Sequence, residues 1–382
     1  MNIEAKRAYL NAVKERYNKS SKKQKTQILN EFCSNCNYSR KHAIRLLKDN
    51  FNTNVVSFKR RKPGKPSKYT KAAKRRLAQL WQIMDYPCSI KLKQALPLWL
   101  PYDLETDEMI KRQLLSMGSS TIERALKEVK SKRPRGLSAT TPSKFKSQIP
   151  LKLCKENDKK SIGYFEADTV AHCGDSLSGQ FNWTLTMTDL MSGWTENRAC
   201  PSKKAEAIKE AIEEIEVNLP FKLLGFSSDN GTEFLNSIVQ DHLSEADVSR
   251  GRPYKKNDNA HVEQKNFTHV RNLFGYQRLE GEVELMNEIY QLANDLKNFY
   301  VPCLKLRKKE RIGSKIIKKY DPPITPYERL LESGQLTMKQ EEEMKKKKAR
   351  LNPFVIKKKL DKKLSLFFSK FEKRRLEIKL VA

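Results

Sequence analysis

The sequence predicts an α/β core, a mixed five-stranded sheet with flanking helices, set between all-α N-terminal domains and a basic C-terminal region. Three observations predict it. Residues 163–254 hold five short strand-like runs broken by two helical segments. Residues 20–48 and 70–130 carry helical periodicity instead. Charge divides the same way: residues 1–150 hold 34 Lys/Arg against 11 Asp/Glu, residues 151–300 hold 17 against 24, and residues 301–382 hold 25 against 10. A chain of 382 residues exceeds one compact core and implies two or three domains.

Residues 20–48 read as two short helices with a break near Asn35–Tyr38. Ile28, Leu29 and Phe32 share one face of the first, Ala43, Ile44 and Leu47 one face of the second, and Ser39 is placed to cap it. Arg40, Lys41, Arg45 and Lys48 then lie on or beside the exposed face. A helix, a tight turn and a basic helix form the geometry that enters a DNA major groove; a helical hairpin with a solvated basic face fits equally well. This assigns 1–60 to a helix-turn-helix DNA-binding domain. RRKPGKPSKYTKAAKRR follows as a basic linker over phosphate, with Arg60, Arg61 and Lys62 as DNA contacts. Residues 61–135 read as a second helical DNA-binding region, with Leu77, Leu80, Trp81, Met84, Leu92, Leu96 and Leu100 apolar and a capping box from Ser120 to Glu123. A polar linker, 136–158, precedes the core at 159–300.

Within the core, 163–173, 181–193 and 194–202 read as strands, 203–219 as an amphipathic helix and 222–230 as a buried strand. A helix (231–246), a short strand (247–254) and a helix (259–275) follow. That order describes an α/β core of RNase H type. In the tail, 301–382, KLRKKERIGSKIIKKYD forms a basic hairpin turned at Gly313, ITPYERLLESG is a short helix, and the remainder is Lys-rich and helical or loosely ordered.

The basic flanks point to nucleic acid, because they attract polyanions and lack the long apolar face of an interfacial helix. No run of about 20 apolar residues spans a membrane, and MNIEAKRAYLNAVKERYNK is no secretory signal. Seven scattered cysteines fit free thiols in a reducing cytoplasm. Cys33, Cys36 and His42 lack the second ligand pair that zinc requires and read as ordinary helix residues.

Three carboxylates carry the chemistry. Asp168 lies inside the first core strand on the face of Tyr164, Glu166 and Val170, an expensive position for a carboxylate without a cation. Asp229 ends the apolar run Leu223, Leu224, Phe226, at the sheet edge where α/β folds build sites. Glu263 falls in the first turn of a helix. Such a set converges oxygen ligands on hard cations. Phosphodiester cleavage loads negative charge onto attacking and leaving oxygens, and two Mg2+ or Mn2+ ions about 3.5–4 Å apart offset both.

EADTVAH, SSDNGTEF and NDNAHVEQKN resemble the three signature segments of the D-D-E transposases and integrases, the retroviral integrase superfamily. RPYKKNDNAHVEQKN and TDLMSGWTEN are similar to a branch of bacterial insertion-sequence transposases. The resemblance covers about residues 160–275 and extends more loosely to NYSRKHAIRLL and YDPPITPYERLL. It implies an RNase H-like fold, Mg2+ or Mn2+ held by Asp168, Asp229 and Glu263, and homo-oligomers assembled on double-stranded transposon ends and target DNA. Asp229 and Glu263 have 33 residues between them, close to the family's spacing. Retroviral integrases carry DNA-facing lysines four and seven residues after the Glu; here Phe267 and Val270 stand there. The DNA contacts expected instead are Arg252, Lys255, Lys256, Asn266 and Arg271. Two alternatives stay open, an RNase H-like nuclease without strand transfer and a DNA-binding regulator.

Neighbouring polar residues have quieter readings. Glu166 is either a fourth ligand or a salt-bridged side chain, and Asp189 belongs to a turn. Asn230 and Glu233 match an N-cap and its partner. His172 ends a strand, His261 points away from Glu263, and Trp183 and Trp194 are core.

Overall fold

The computed structural model describes residues 3–48, 68–131, 161–228, 231, 233–234, 236–250, 260–312 and 315–381. The chain divides into two compact units, Met1–Lys68 and Tyr69–Ala382. In the first, α1 (Ile3–Lys19), α2 (Lys22–Cys36) and α3 (Arg40–Lys48) enclose a small core. Gln24 accepts the Ser21 backbone N–H at 3.1 Å and so starts α2; Asn37, at φ 53, ends it in the left-handed conformation. Phe32, Cys36, Ala43 and Leu47 are fully buried, joined by Ile28 and Leu29. The expected faces therefore meet, and α1 supplies Val13 and Tyr17 as the third wall. Arg40, Lys41, Arg45 and Lys48 are exposed on α3.

The second unit opens with α4 (Lys71–Ile83), α5 (Ser89–Trp99), a tight turn at Leu100–Tyr102, α6 (Glu108–Leu115) and α7 (Ser119–Ser131). α7 begins one residue before Ser120, so the expected capping box is absent and Glu123 pairs with Lys130 at 2.7 Å. The sheet comprises β1 (Tyr164–Ala171), β2 (Trp183–Asp189), β3 (Thr195–Cys200), β4 (Gly225–Ser228) and β5 (Asp247–Arg250), ordered β3-β2-β1-β4-β5. β1, β2 and β3 pair antiparallel; β4 and β5 join parallel to β1. Parallel neighbours need crossovers, which run through α8 (Ala205–Asn218) and α9 (Ser237–His242). Ile208, Ala211, Ile212 and Ile215 are the buried face of α8, as their spacing predicts. This is the mixed five-stranded sheet with flanking helices that the sequence predicts.

α9 is shorter than the segment 231–246 suggests. Asn236 caps it, accepting from Val239 N at 2.9 Å, so Glu233 lies outside the helix and is not its capping partner. The expected helix at 259–275 is three pieces: α10 (Ala260–Lys265), a wider π turn (Asn266–Arg271) and α11 (Asn272–Phe274). Next come α12 (Val283–Tyr300), β6 (Leu306–Ile312) and β7 (Lys315–Tyr320), α13 (Pro326–Glu332), α14 (Met338–Arg350) and α15 (Pro353–Val381). Gly313, the expected turn of the basic hairpin, lies outside the described residues.

The helices α4 to α7 share one core with the sheet rather than forming a region of their own at 61–135. Trp99 is the reason: its indole Nε1 donates to Tyr300 O at 3.0 Å, and its ring meets Phe354 edge-on at 5.2 Å. The Lys-rich tail is ordered helix because Ile356, Leu360 and Phe367 recur on one side of α15 and join that core, with Phe354 packed against it at the helix start.

Candidate active site

Asp168 stands in the middle of β1, opposite Thr186 of β2. The preceding residue, Ala167, is opposite Ser228, the last residue of β4. Asp229 follows Ser228 directly and lies outside the described residues, as do Arg60, Arg61, Lys62, Arg252, Lys255, Lys256 and Asn230. The Asp168 carboxylate accepts Thr169 N on Oδ1 at 2.8 Å and Asn266 Nδ2 on Oδ2 at 2.6 Å. Thr169 Oγ1 in turn donates to Glu233 Oε1 at 2.9 Å, tying the segment after β4 to β1. A Cβ at Gly231 would stand 2.6 Å from the Glu233 carboxyl carbon, so a larger residue there would displace that side chain.

Two residues before Asp168, and so on the same face of β1, Glu166 is only 2% exposed. Its Oε2 accepts the backbone N–H groups of His261 at 3.0 Å and Val262 at 3.2 Å. Those are opening N–H groups of α10, which have no partner within the helix, and a carboxylate also complements the helix dipole. Glu166 thus caps α10 from the strand, a role the sequence did not suggest. The signal was present: an acid sharing a strand face with Asp168, and a helix start whose donors need an acceptor.

α10 carries Glu263, exposed, in its first turn. Glu263 precedes Asn266 by three residues, a spacing that puts Cβ atoms about 5–6 Å apart on one side of a helix. The residue that touches Asp168 is therefore Glu263's neighbour on the helix surface. Asn266 is 8% exposed and its Oδ1 has no hydrogen-bond partner. A buried, unpartnered carbonyl oxygen beside a carboxylate suits a hard divalent cation or a water bound to one. Among the described residues no three His, Cys, Asp or Glu side chains gather closely enough to hold a metal; the third expected ligand, Asp229, is not among them.

The expected DNA contacts at Asn266 and Arg271 take a different form. Asn266 spends its donor on Asp168. Arg271 donates to Ala171 O at 3.0 Å and Gly275 O at 3.3 Å and lies over the Tyr276 ring. The π turn sets Asn266 against Asp168 in mid-β1 and Arg271 against Ala171 at the end of that strand.

Burial disfavours the charged form of several basic groups that follow Glu263 or lie on α12. Lys265 donates to Gly193 O at 3.0 Å and Lys297 to Thr268 O at 2.6 Å. Burial lowers both amines, Lys297 to about 7, and burial with the neighbouring Lys297, Lys265 and Lys91 lowers His269 well below its ordinary value. His172 is fully buried, 2.8 Å from Thr184 Oγ1, and burial pushes it down to about 3. It stays neutral and serves packing. Asp189 accepts Gly163 N, Ser192 N and Ser192 Oγ at 2.6–2.8 Å, building the turn after β2. Cys36 is core, and Trp194 is buried.

No family model matches the chain. It is 32% identical over 335 residues, 83% of its own length and 93% of the other's, to the uncharacterized protein y4rM of Sinorhizobium fredii. No helix among the described residues is long and apolar enough to cross a membrane. Among solved structures, the catalytic core domain of BIV integrase is a loose likeness, with TM-score 0.31 and 21% identity over 45% of this chain and 95% of that one.

Proposed function

The chain belongs to the family of the uncharacterized Sinorhizobium fredii protein y4rM, and we propose that it is a metal-dependent DNA cleaving and joining enzyme of the D-D-E type, a transposase or integrase. One observation carries the reading: a carboxylate at mid-strand on β1, bound by a side chain three residues beyond a second carboxylate, opposite the place where β4 runs into a third acid. The strand order β3-β2-β1-β4-β5, with three antiparallel strands and two parallel ones, supports an RNase H-like core.

In this reading Asp168, Asp229 and Glu263 would hold Mg2+ or Mn2+, which would supply a lowered pKa for the attacking hydroxyl or water and charge to offset that on the leaving oxygen. The remaining work falls to the protein. Asn266 Nδ2 and Thr169 N each donate to one oxygen of Asp168, so the carboxylate loses little freedom on meeting its ligand. Glu166 anchors the start of α10 and Lys265 its end, which sets where Glu263 stands. The exposed cations of α3 supply grip on transposon-end DNA.

The test is incubation of the full chain with labelled duplexes bearing its element's ends, in Mg2+. Cleavage followed by joining to a second duplex supports the transposase; cleavage alone supports a hydrolytic nuclease; neither activity leaves the reading unsupported.

A further inference from the structure

The segment Leu306–Tyr320 holds seven Lys/Arg and one Glu, and it folds as a two-stranded antiparallel sheet of its own, β6 with β7. Such a hairpin is marginally stable alone in water, and among its described residues the large apolar side chains give it no packed support. Leu306, Ile317 and Tyr320 are exposed rather than packed. Lys308 stands directly opposite Lys319, and both are exposed. Like charges facing each other across a ladder are destabilising. Glu310 pairs with Lys308, while Arg307, Lys318 and Lys319 are exposed, with no carboxylate paired to them among the described residues. On α14, by contrast, Lys345 and Lys346 are paired with Glu341 and Glu342.

The root of the hairpin is firm. Lys305 Nζ donates to Met191 O at 2.6 Å, Asp321 N to Lys305 O at 2.9 Å, and Cys303 N to Ile324 O at 2.9 Å. Arg329 donates to Ser192 O at 2.9 Å and Cys303 O at 2.6 Å. The anchoring turn, Met191–Gly193, also receives Lys265 of α10 on Gly193 O. The same few residues thus fix both the hairpin and the helix that carries Glu263.

We propose that β6–β7 is a DNA-gripping arm that lies along duplex backbone and positions it relative to the carboxylate site. The site's role rests on the function proposed above; the arm's binding does not. A two-stranded ribbon fits a major groove. At about 3.3 Å per residue its strands run roughly 20 Å, some six base pairs. Phosphates would relieve the Lys308–Lys319 repulsion and take up the unpaired cations.

The experiment uses the full chain carrying Asp168→Asn, in EDTA, so that binding is read without cleavage. Affinity for a mixed-sequence duplex is titrated against salt for this parent, for an Arg307→Gln/Lys318→Gln/Lys319→Gln variant and for a Lys345→Gln/Lys346→Gln control, with thermal melts checking that each is folded. The arm variant is expected to bind at least tenfold more weakly, and its slope of log K against log salt to fall by about 0.9 for each phosphate it no longer neutralises. The control keeps both near the parent's values. Unchanged affinity and slope in the arm variant overturn the proposal, as does a parent that binds no duplex. So does loss of binding to phosphatidylserine vesicles with DNA binding intact, which would make the arm a membrane contact. If the arm variant loses DNA while the unmutated chain fails to cleave it, the arm stands and the active-site reading falls.

Discussion

Asn266 donates its side-chain amide to Asp168 Oδ2 at 2.6 Å, across 98 positions of sequence, from a π turn that directly continues the helix bearing Glu263. One hydrogen bond therefore sets the position of two candidate carboxylates relative to each other. π turns often mark functional sites, and here the turn brings the amide onto the strand.

Replacing Asn266 by Ala should slow cleavage by about tenfold to a hundredfold, roughly 1.4–2.8 kcal/mol of barrier, without changing DNA affinity. Asn266→Asp should do worse near neutrality, since two carboxylates in contact resist ionising together. Single-turnover rates against pH check this. An Asn266→Ala enzyme with the parent's rate would remove the residue from the site.

Glu166 distinguishes a helix cap from a metal ligand. As a cap, Glu166→Gln keeps an oxygen acceptor for His261 N and Val262 N and should retain most activity, whereas Glu166→Ala should cost about 0.5–2 kcal/mol of stability. Denaturant midpoints and cleavage rates of both variants read this out. A Gln variant as inactive as an Asp168 variant would make Glu166 a ligand.

Glu196 and Lys297 should contribute to the pH dependence of stability with opposite signs on the two sides of pH 7, each read as the difference between its variant and the parent. Burial raises Glu196 from 4.5 to about 7, so the folded state holds a proton that the unfolded state has lost, and stability falls between those values as pH rises. Burial lowers Lys297 from 10.5 to about 7, so the unfolded state binds the extra proton, and stability recovers from about 7 towards 10.5. Urea midpoints across pH measure both contributions. Relative to the parent, Glu196→Gln should remove a loss of stability between pH 4.5 and 7, and Lys297→Met a gain above pH 7; a difference in the opposite pH range for either variant would contradict the assignment.

Arg40, Lys41 and Arg45 are exposed on α3. Their joint replacement by Ala should weaken binding to the element's ends more than to scrambled duplex if they read bases, and equally if they touch phosphate alone. Salt titrations of the full chain on both duplexes separate the cases. No effect on either would leave α3 as a solvated helix.

The sheet was legible where a strand carries its own period. TLTMTD alternates along β2, and the amphipathic helix at 205–218 buries the isoleucine and alanine positions its spacing marks. Asp168 and Glu263 could be proposed from strand and helix context. What sequence could not show depends on distant partners. Glu166 looks like any strand acid until α10 lies across it. Asn266 and Arg271 look like DNA contacts until the π turn directs both onto β1. Trp99 gives no hint that its indole ends on Tyr300, 201 positions away, so the helices before the sheet looked independent of it. α15 read only as helical or loosely ordered because its lysines hide the apolar stripe that Ile356, Leu360 and Phe367 present to the core.

The central claim is that Asp168, Asp229 and Glu263 act together as metal ligands. The most direct measurement is Mg2+-dependent cleavage and joining of end duplexes by Asp168→Asn, Asp229→Asn and Glu263→Gln, each with duplex affinity measured in parallel. The expected result is loss of both reactions in every variant with affinity near the parent's, no turnover of the parent in EDTA, and no support from Ca2+, whose longer and looser oxygen coordination spoils in-line alignment. Near-parental joining by any one variant, or turnover of the parent in EDTA, would contradict it.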